Sequence, residues 1–323
     1  MEALTLQDIR DAQKRISPYI LHTPVLRTER LDALCYGKIY LKAECLQNIG
    51  AFKIRGAMNK MLLLSDEEKC AGVIASSSGN HAQGLAYAGK VLGVDVTLIL
   101  PENAPEIKVN NTKKLGAHVI SYGIYSEERW KKVYELAEEK GYAVVHSYKD
   151  PQVMAGQGTV GLEILEDLPD VDTVIIPLGG GGLASGIATA IKSVNPKVRV
   201  IAAEPKNCAK YYESRKAGKL VEVELKDTVA DGLKLNVPAQ LPHQILTEYV
   251  DEIVAVEDEY IKKAIPMIVT KAKLVPEPSA AIGIGALLSG KIEVKEQEKV
   301  CVVISGGNID GSKLASMLFE EED

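Results

Sequence analysis

The chain is poor in aromatic residues. Its 323 residues include 2 Phe, 1 Trp and 13 Tyr, and aromatics make up 5%. A core must then be built from Val, Ile, Leu and Ala, a composition that suits parallel strands buried on both faces. Cysteine is sparse and scattered: Cys35, Cys45, Cys70, Cys208 and Cys301, with no C-x-x-C pair. An odd number at wide spacing argues against a disulfide framework and against a zinc site, and reads as small buried hydrophobes in a reducing compartment. No apolar run approaches the roughly 18 residues of a membrane span. Residues 1–19 mix acidic and basic side chains and lack the apolar centre of a signal peptide. Net charge is −6, with 25% charged residues and no basic stripe. Nucleic acid and membrane are therefore not expected partners, and the expected location is the cytoplasm.

What is present is alternation. Short apolar runs at 39–43, 72–75, 95–100, 118–121, 143–146, 173–178, 198–203, 251–256 and 300–305 read as strands. Helical patterns lie between most of them, at 54–64, 82–92, 106–115, 126–139, 158–165, 183–193, 259–272, 280–288 and 312–319. Strand then helix, repeated, predicts an α/β fold with mostly parallel sheets and helices on both faces. The N-terminal stretch reads as an amphipathic helix with Thr5 as N-cap and Asp8 three residues on. Composition breaks near 70–72 and 150–157 enclose a βαβαβαβ block, Gly72 to His146. The expected division is a large cofactor-binding domain, 1–71 with 151–323, and a small substrate-closing domain, 72–150.

Four loops fall where strands give way to helices, the edge at which open α/β sheets bind ligands. The first is Gln47-Asn48-Ile49-Gly50-Ala51-Phe52-Lys53-Ile54-Arg55-Gly56-Ala57. Lys53 stands between an aromatic and an aliphatic residue. A lysine desolvated in such a setting has a lowered pKa and can act as a free amine or form a Schiff base. The plain alternative is a helix-start lysine with its stem packed and its amine in water. The second loop, Ser76-Ser77-Ser78-Gly79-Asn80-His81, opens a helix with amides and hydroxyls suited to a carboxylate, or else is a serine-rich N-cap. The third, Gly179-Gly180-Gly181-Gly182, lets several N–H groups aim at one anion such as a phosphate. Gly179, Gly181 and Ala184 also fit G-x-G-x-x-A, with Glu204 near the place of a ribose-binding acid, so a dinucleotide-dependent oxidoreductase stays as a remote alternative. The fourth, Ser305-Gly306-Gly307-Asn308, offers one hydroxyl to a flat ring. A reactive lysine, a carboxylate cradle, a phosphate cradle and a ring partner are together what a pyridoxal 5'-phosphate enzyme requires.

These motifs stand in order with Ala155-Gly156-Gln157-Gly158-Thr159, Ala230-Asp231-Gly232 and Glu277-Pro278. The chain resembles the fold-type II pyridoxal phosphate enzymes of the serine/threonine dehydratase and serine racemase family over nearly its whole length. The resemblance implies a two-lobed fold-type II enzyme, a homodimer, acting on a small β-hydroxy amino acid, with 3-hydroxyaspartate dehydratase or aspartate racemase as the alternative. It implies that Lys53 carries the cofactor and serves as base, that Phe52 packs on the ring and that Asn80 meets its 3-hydroxyl. Gly179, Gly180, Gly181 and Gly182 bind the phosphate, Glu277 belongs to the cofactor site, and Ser305 meets the pyridine nitrogen. Ser77, Asn80 and His81 grip the substrate carboxylate. Ser78 would be the acid/base on the face opposite Lys53. Arg129 aligns with a racemase arginine on the substrate side, its plain alternative being a solvated charge on a helix. No metal is expected. Glu204 matches the start of a racemase cation site, but its acidic partner is replaced by Lys210. Leu115 replaces an aromatic of the racemase nucleotide site, so activation by ATP is not expected. His22, His118 and His243 read as structural or surface residues without nameable partners.

Overall fold

The computed structural model describes residues 4–34, 36–77, 79–104 and 106–319. Among these residues are ten strands: β1 (Val25–Arg27), β2 (Lys38–Lys42), β3 (Val73–Ser76), β4 (Val96–Leu100), β5 (His118–Ser121), β6 (Ala143–Val144), β7 (Thr173–Pro177), β8 (Arg199–Pro205), β9 (Glu252–Val256) and β10 (Lys299–Val303). Six form one sheet in the order β1-β2-β10-β7-β8-β9, and four form a second in the order β5-β4-β3-β6. Every pairing is parallel except β1 with β2. All four strands of the second sheet lie within the expected 72–150 block.

Continuous apolar runs make the central strands because both faces are covered. Along β7 the side chains alternate: Ile175 packs with Ile201, Val254, Ile282 and Val302 on one face, while Val174 and Ile176 pack with Ile187 and Val200 on the other. The second sheet does the same, with Val73, Ala75 and Leu98 against Met58 and Leu85, and Ile74 and Ile99 against Val133 and Leu136.

Most expected elements appear, and the differences have local causes. Thr5 caps the helix Leu6–Ile16 in a capping box with Asp8; residues 1–3 of that stretch, like Cys35, lie outside the described residues. The run at 143–146 pairs only over Ala143–Val144. The helix expected at 158–165 begins seven residues earlier, at Pro151, with Asp150 accepting from Gln152 N. Its glycines masked it, since glycine is a poor helix former. They serve packing instead: a Cβ on Gly156 would lie 2.5 Å from Arg55 O, and one on Gly56 2.5 Å from Val153 O, so two helices touch backbone to backbone. The helix expected at 259–272 stops at Met267, after Pro266, and continues as a π-turn, Ile268–Ala272. Strand β1 and the helices Asp66–Ala71, Lys210–Ala217 and Gln240–Tyr249 were not expected from the pattern.

Candidate active site

Lys53 is fixed by the loop that follows strand β10. Ala51 bridges Gly306, Phe52 N–H donates to Ser305 O at 3.0 Å, and Gly307 N–H donates to Gly50 O at 2.8 Å. Gly50 turns the chain at φ 69°, and a Cβ there would meet Asn308 Oδ1 at 2.7 Å. The helix Lys53–Leu62 therefore starts at the carboxyl end of the large sheet with Lys53 as its first residue. Gln157 Oε1 accepts from Gly56 N at 3.2 Å in its first turn. Beneath it Arg55, fully buried, forks onto two carboxylates: Nε to Glu44 Oε2 at 2.8 Å and Nη1 to Glu163 Oε1 at 2.6 Å. Lys42 Nζ joins Glu163 Oε2 at 2.7 Å. Two cations and two anions thus meet in a buried cluster, with the partly exposed Asp167 at its edge, 3.6 Å from Lys42 Nζ.

The Lys53 ammonium donates to Ser147 O at 3.3 Å and lies 4.9 Å from the centre of the Phe52 ring. Burial pushes its pKa down to about 8, against the opposing pull of the Glu277 carboxylate. The desolvated reading of this lysine is the one the geometry favours.

The serine loop follows β3. Ser78 lies outside the described residues. The helix Asn80–Leu92 is capped by Gly79, with no side-chain cap, so the serine-rich N-cap alternative does not hold. Ser77 Oγ instead accepts from Gly79 N at 3.3 Å, and a Cβ on Gly79 would meet nothing within 4 Å. Asn80 bridges the two sheets' loops: its Nδ2 donates to Glu277 Oε1 at 2.8 Å, and its Oδ1 accepts from Asn308 Nδ2 at 2.9 Å. His81 is buried, with Nε2 3.2 Å from Val145 O. A carbonyl only accepts, so Nε2 holds the proton and Nδ1 is a bare acceptor. Burial, with Lys53 nearby, lowers the His81 pKa to about 3, which keeps the ring neutral. In this arrangement the ring has no free N–H donor.

Between β7 and the helix Gly182–Val194 the four glycines turn with Gly181 at φ 94°. None of their N–H groups finds an acceptor among the described residues, although three of the four glycines are buried. Buried backbone donors are rarely left this way. A Cβ on Gly180 would sit 2.3 Å from the Tyr148 ring. Tyr148 belongs to the crossing from β6 to the helix Pro151–Asp167. Val145 O accepts from His81, His146 stacks on Trp130 at 4.2 Å, Ser147 O accepts from Lys53, and Tyr148 covers Gly180. The sequence pattern reached this segment only as the end of the strand expected at 143–146 and marked no site residue in it. Ser305, 3% exposed, lies two residues beyond β10, beside Phe52.

Arg129 is half-buried, not solvated: Nε lies 3.3 Å from Ser76 Oγ and Nη1 2.6 Å from Ile124 O, which ties it to the base of the serine loop. Glu204 is fully buried with Lys210 Nζ at 2.7 Å, so it cannot reach a ribose, and the oxidoreductase pattern fails there. No group of three metal-ligating side chains occurs among the described residues. His22 does have a partner, Asp167, at 2.9 Å. Leu115 lines a cavity of about 340 Å³ on the second sheet's side, with Lys90 and Lys114. A larger open cavity of about 610 Å³, lined by Lys206, Tyr212 and Lys291, lies along β9 and includes none of the four loops.

The donors present fit pyridoxal 5'-phosphate: unpaired glycine amides at a helix start for a phosphate, a depressed lysine amine for an aldehyde, and a buried serine for a ring nitrogen. A model of pyridoxal-phosphate-dependent enzymes matches residues 16–306. The chain belongs to that family. It is an enzyme, and its cofactor is pyridoxal 5'-phosphate. It is 45% identical to an L-threonine ammonia-lyase of Thermotoga maritima over 307 residues, 95% of this chain and 76% of that one. It is 40% identical to a serine racemase of Oryza sativa subsp. indica over 322 residues, 98% and 95% of the two chains. The structure of maize serine racemase superposes with a TM-score of 0.94 at 39% identity, covering 99% of this chain and 98% of that one. The expected α/β, fold-type II architecture is thereby borne out.

Proposed function

We propose that this enzyme is a serine/threonine ammonia-lyase with a racemase-like side activity, and that Lys53, Ser78, Asn80, Glu277, Ser305 and the four glycines form its site. The observation that carries the reading is the Lys53 amine, depressed to about 8 by burial and facing a loop system with free donors for a carboxylate and a phosphate. The bound cofactor would supply the electron sink that makes the substrate α-proton removable. Lys53 takes that proton on one face. Ser77, Asn80 and the amides at the start of Asn80–Leu92 hold the carboxylate, and Arg129 braces their loop. A serine at the ring nitrogen does not hold a proton there as a carboxylate would. That favours loss of the β-hydroxyl in step with α-proton removal over a long-lived carbanion. Water leaves in the elimination and returns in hydrolysis, so serine yields a 2-oxo acid and ammonia in balance. Ser78 on the opposite face would return a proton there, which is what racemisation needs.

We further propose that 72–150 forms a small domain that closes on the domain made of 1–71 and 151–323, with the Asn80 side chain joined to Glu277 and Asn308 across that boundary, and that the enzyme is a cytoplasmic homodimer. Exposed, unpaired Cys70 suits a reducing compartment. The test measures three rates on Ser78→Ala: L-serine dehydration, D-serine dehydration and L/D interconversion. Dehydration of L-serine should survive within about tenfold, about 1.4 kcal/mol in barrier, while the other two vanish. An equal fall in all three would make Ser78 a structural support, and a wild type with no 2-oxo acid product from serine or threonine would sink the lyase reading.

A further inference from the structure

The glycine loop is gripped from behind by a residue that no motif marked. Tyr211, 1% exposed, donates its hydroxyl to Gly180 O at 2.9 Å. The same oxygen accepts from Ala239 N at 3.1 Å, so the direction of the hydroxyl is set. In a planar trans peptide the carbonyl of one residue and the N–H of the next point opposite ways. Pinning the Gly180 carbonyl to Tyr211 therefore turns the Gly181 N–H away from Tyr211, toward the side left without a protein acceptor. Only glycine fits at position 181. It sits at φ 94°, and a Cβ there would lie 2.6 Å from Pro242 and 3.1 Å from the Tyr211 oxygen.

Tyr211 is in turn set by a buried ion pair. It is the second residue of the helix Lys210–Ala217, whose N-cap, Ala209, makes no side-chain bond. Glu204, from β8, does that work at a distance: Oε2 accepts from Tyr211 N at 3.0 Å and Tyr212 N at 3.1 Å. Its Oε1 holds Lys210 Nζ at 2.7 Å, and both side chains are fully buried. A carboxylate at a helix start is favourable, and a fully buried one requires the cation beside it. The sheet thus reaches the loop through Glu204, the helix start and the Tyr211 ring.

We propose that Tyr211 is a positioning residue for the phosphate of the cofactor, locked in place by the Glu204–Lys210 pair; this rests on reading 179–182 as the phosphate cradle. Tyr211 touches neither substrate nor cofactor. It acts by orienting the Gly180–Gly181 peptide, so its removal is felt by a ligand that bears a phosphate and not by one without it.

The test is equilibrium dialysis of the full-length enzyme against pyridoxal 5'-phosphate and, separately, pyridoxal. Tyr211→Phe keeps the ring and removes one hydrogen bond. It should raise the Kd for pyridoxal 5'-phosphate about tenfold and leave that for pyridoxal within about twofold. The ion pair is tested as the double replacement Glu204→Gln with Lys210→Met, which strands no buried charge and keeps an acceptor for both backbone N–H groups. It should weaken pyridoxal 5'-phosphate binding on its own and add nothing to Tyr211→Phe. Tyr211→Phe weakening both ligands equally, or neither, overturns the inference, as does full additivity of the two changes. A wild type that binds pyridoxal as tightly as pyridoxal 5'-phosphate overturns the cradle reading, and the inference with it. A wild-type phosphate preference that Tyr211→Phe leaves intact overturns the inference alone.

Discussion

The free amine of Lys53 sets how fast the apoenzyme captures its cofactor, because only the unprotonated nitrogen attacks an aldehyde. An ordinary lysine titrates near 10.5, and burial brings Lys53 to about 8. That shift corresponds to about 3 kcal/mol of disfavour for the ammonium. At pH 7 the amine is then about 9% free, against about 0.03% for an ordinary lysine, a gain of about 300-fold in reactive nitrogen. The sign follows from the lowered value: capture should rise about tenfold per pH unit below pH 8 and level off above it. The Glu277 carboxylate opposes the shift, so Glu277→Gln should move the midpoint to lower pH and speed capture at pH 7. The assay is stopped-flow absorption of the visible band after mixing apoenzyme with pyridoxal 5'-phosphate from pH 6 to 10, with borohydride trapping to confirm attachment at Lys53. A midpoint near 10 would refute the desolvation argument. A midpoint that rises in Glu277→Gln would refute the assigned cause.

Lys53→Ala should lose both the trapped cofactor and all turnover, and normal rates in that variant would assign the chemistry to another lysine. Gly180→Ala forces a methyl group to within 2.3 Å of the Tyr148 ring; dialysis should show cofactor affinity reduced at least about tenfold. Arg55→Met leaves Glu44 and Glu163 with Lys42 as the cation of the cluster, and denaturant unfolding should show a loss of about 3–5 kcal/mol. That deficit should shrink as pH falls, because protonating the stranded carboxylate removes the buried charge. A substrate analogue should draw the Asn80 loop toward Glu277 and lower the radius of gyration in small-angle scattering; identical free and bound profiles would count against closure.

The parts of the site that were legible in the sequence are those written in consecutive residues. Phe52-Lys53, the serine loop and the four glycines each carry their chemistry within a few positions, and each sits at a strand end that the alternation located. What was not legible depends on partners far apart in the chain. Asn80 reaches Glu277 and Asn308 across roughly two hundred residues or more of sequence, and Tyr211 reaches back 31 residues to Gly180. The helix bearing Tyr211 gave no signal because its residues, KYYESRKA, are mostly polar and its cap comes from Glu204 on another element. The partner of His22, a half-exposed residue, could not be named for the same reason, since Asp167 lies 145 residues away. For Arg129 the solvated alternative stayed open in the sequence because periodicity cannot reveal that Ser76 faces it.

The spacing of Lys53 and Arg55 explains how one short helix serves both chemistry and rigidity. Two residues apart on a helix of 3.6 residues per turn are about 200° apart around its axis. Lys53 therefore faces Ser147 and the Phe52 ring while Arg55 passes underneath, into the cluster with Glu44, Glu163 and Lys42. The guanidinium fork bonds two carboxylates from different elements, and such planar bidentate contacts fix orientation better than a point charge does. That matters because an amine depressed by burial cannot itself be held by a strong ion pair: a close carboxylate would restore its charge. The chain separates the two demands. Arg55 holds the backbone through its buried ion pairs with Glu44 and Glu163. Lys53, two positions earlier, is left with one carbonyl, one aromatic ring and the more distant Glu277. Arg55→Lys, which keeps the charge and loses the fork, should then broaden the pH titration of cofactor capture without moving its midpoint. A shifted midpoint would mean that the cluster tunes the amine electrostatically instead of merely placing it.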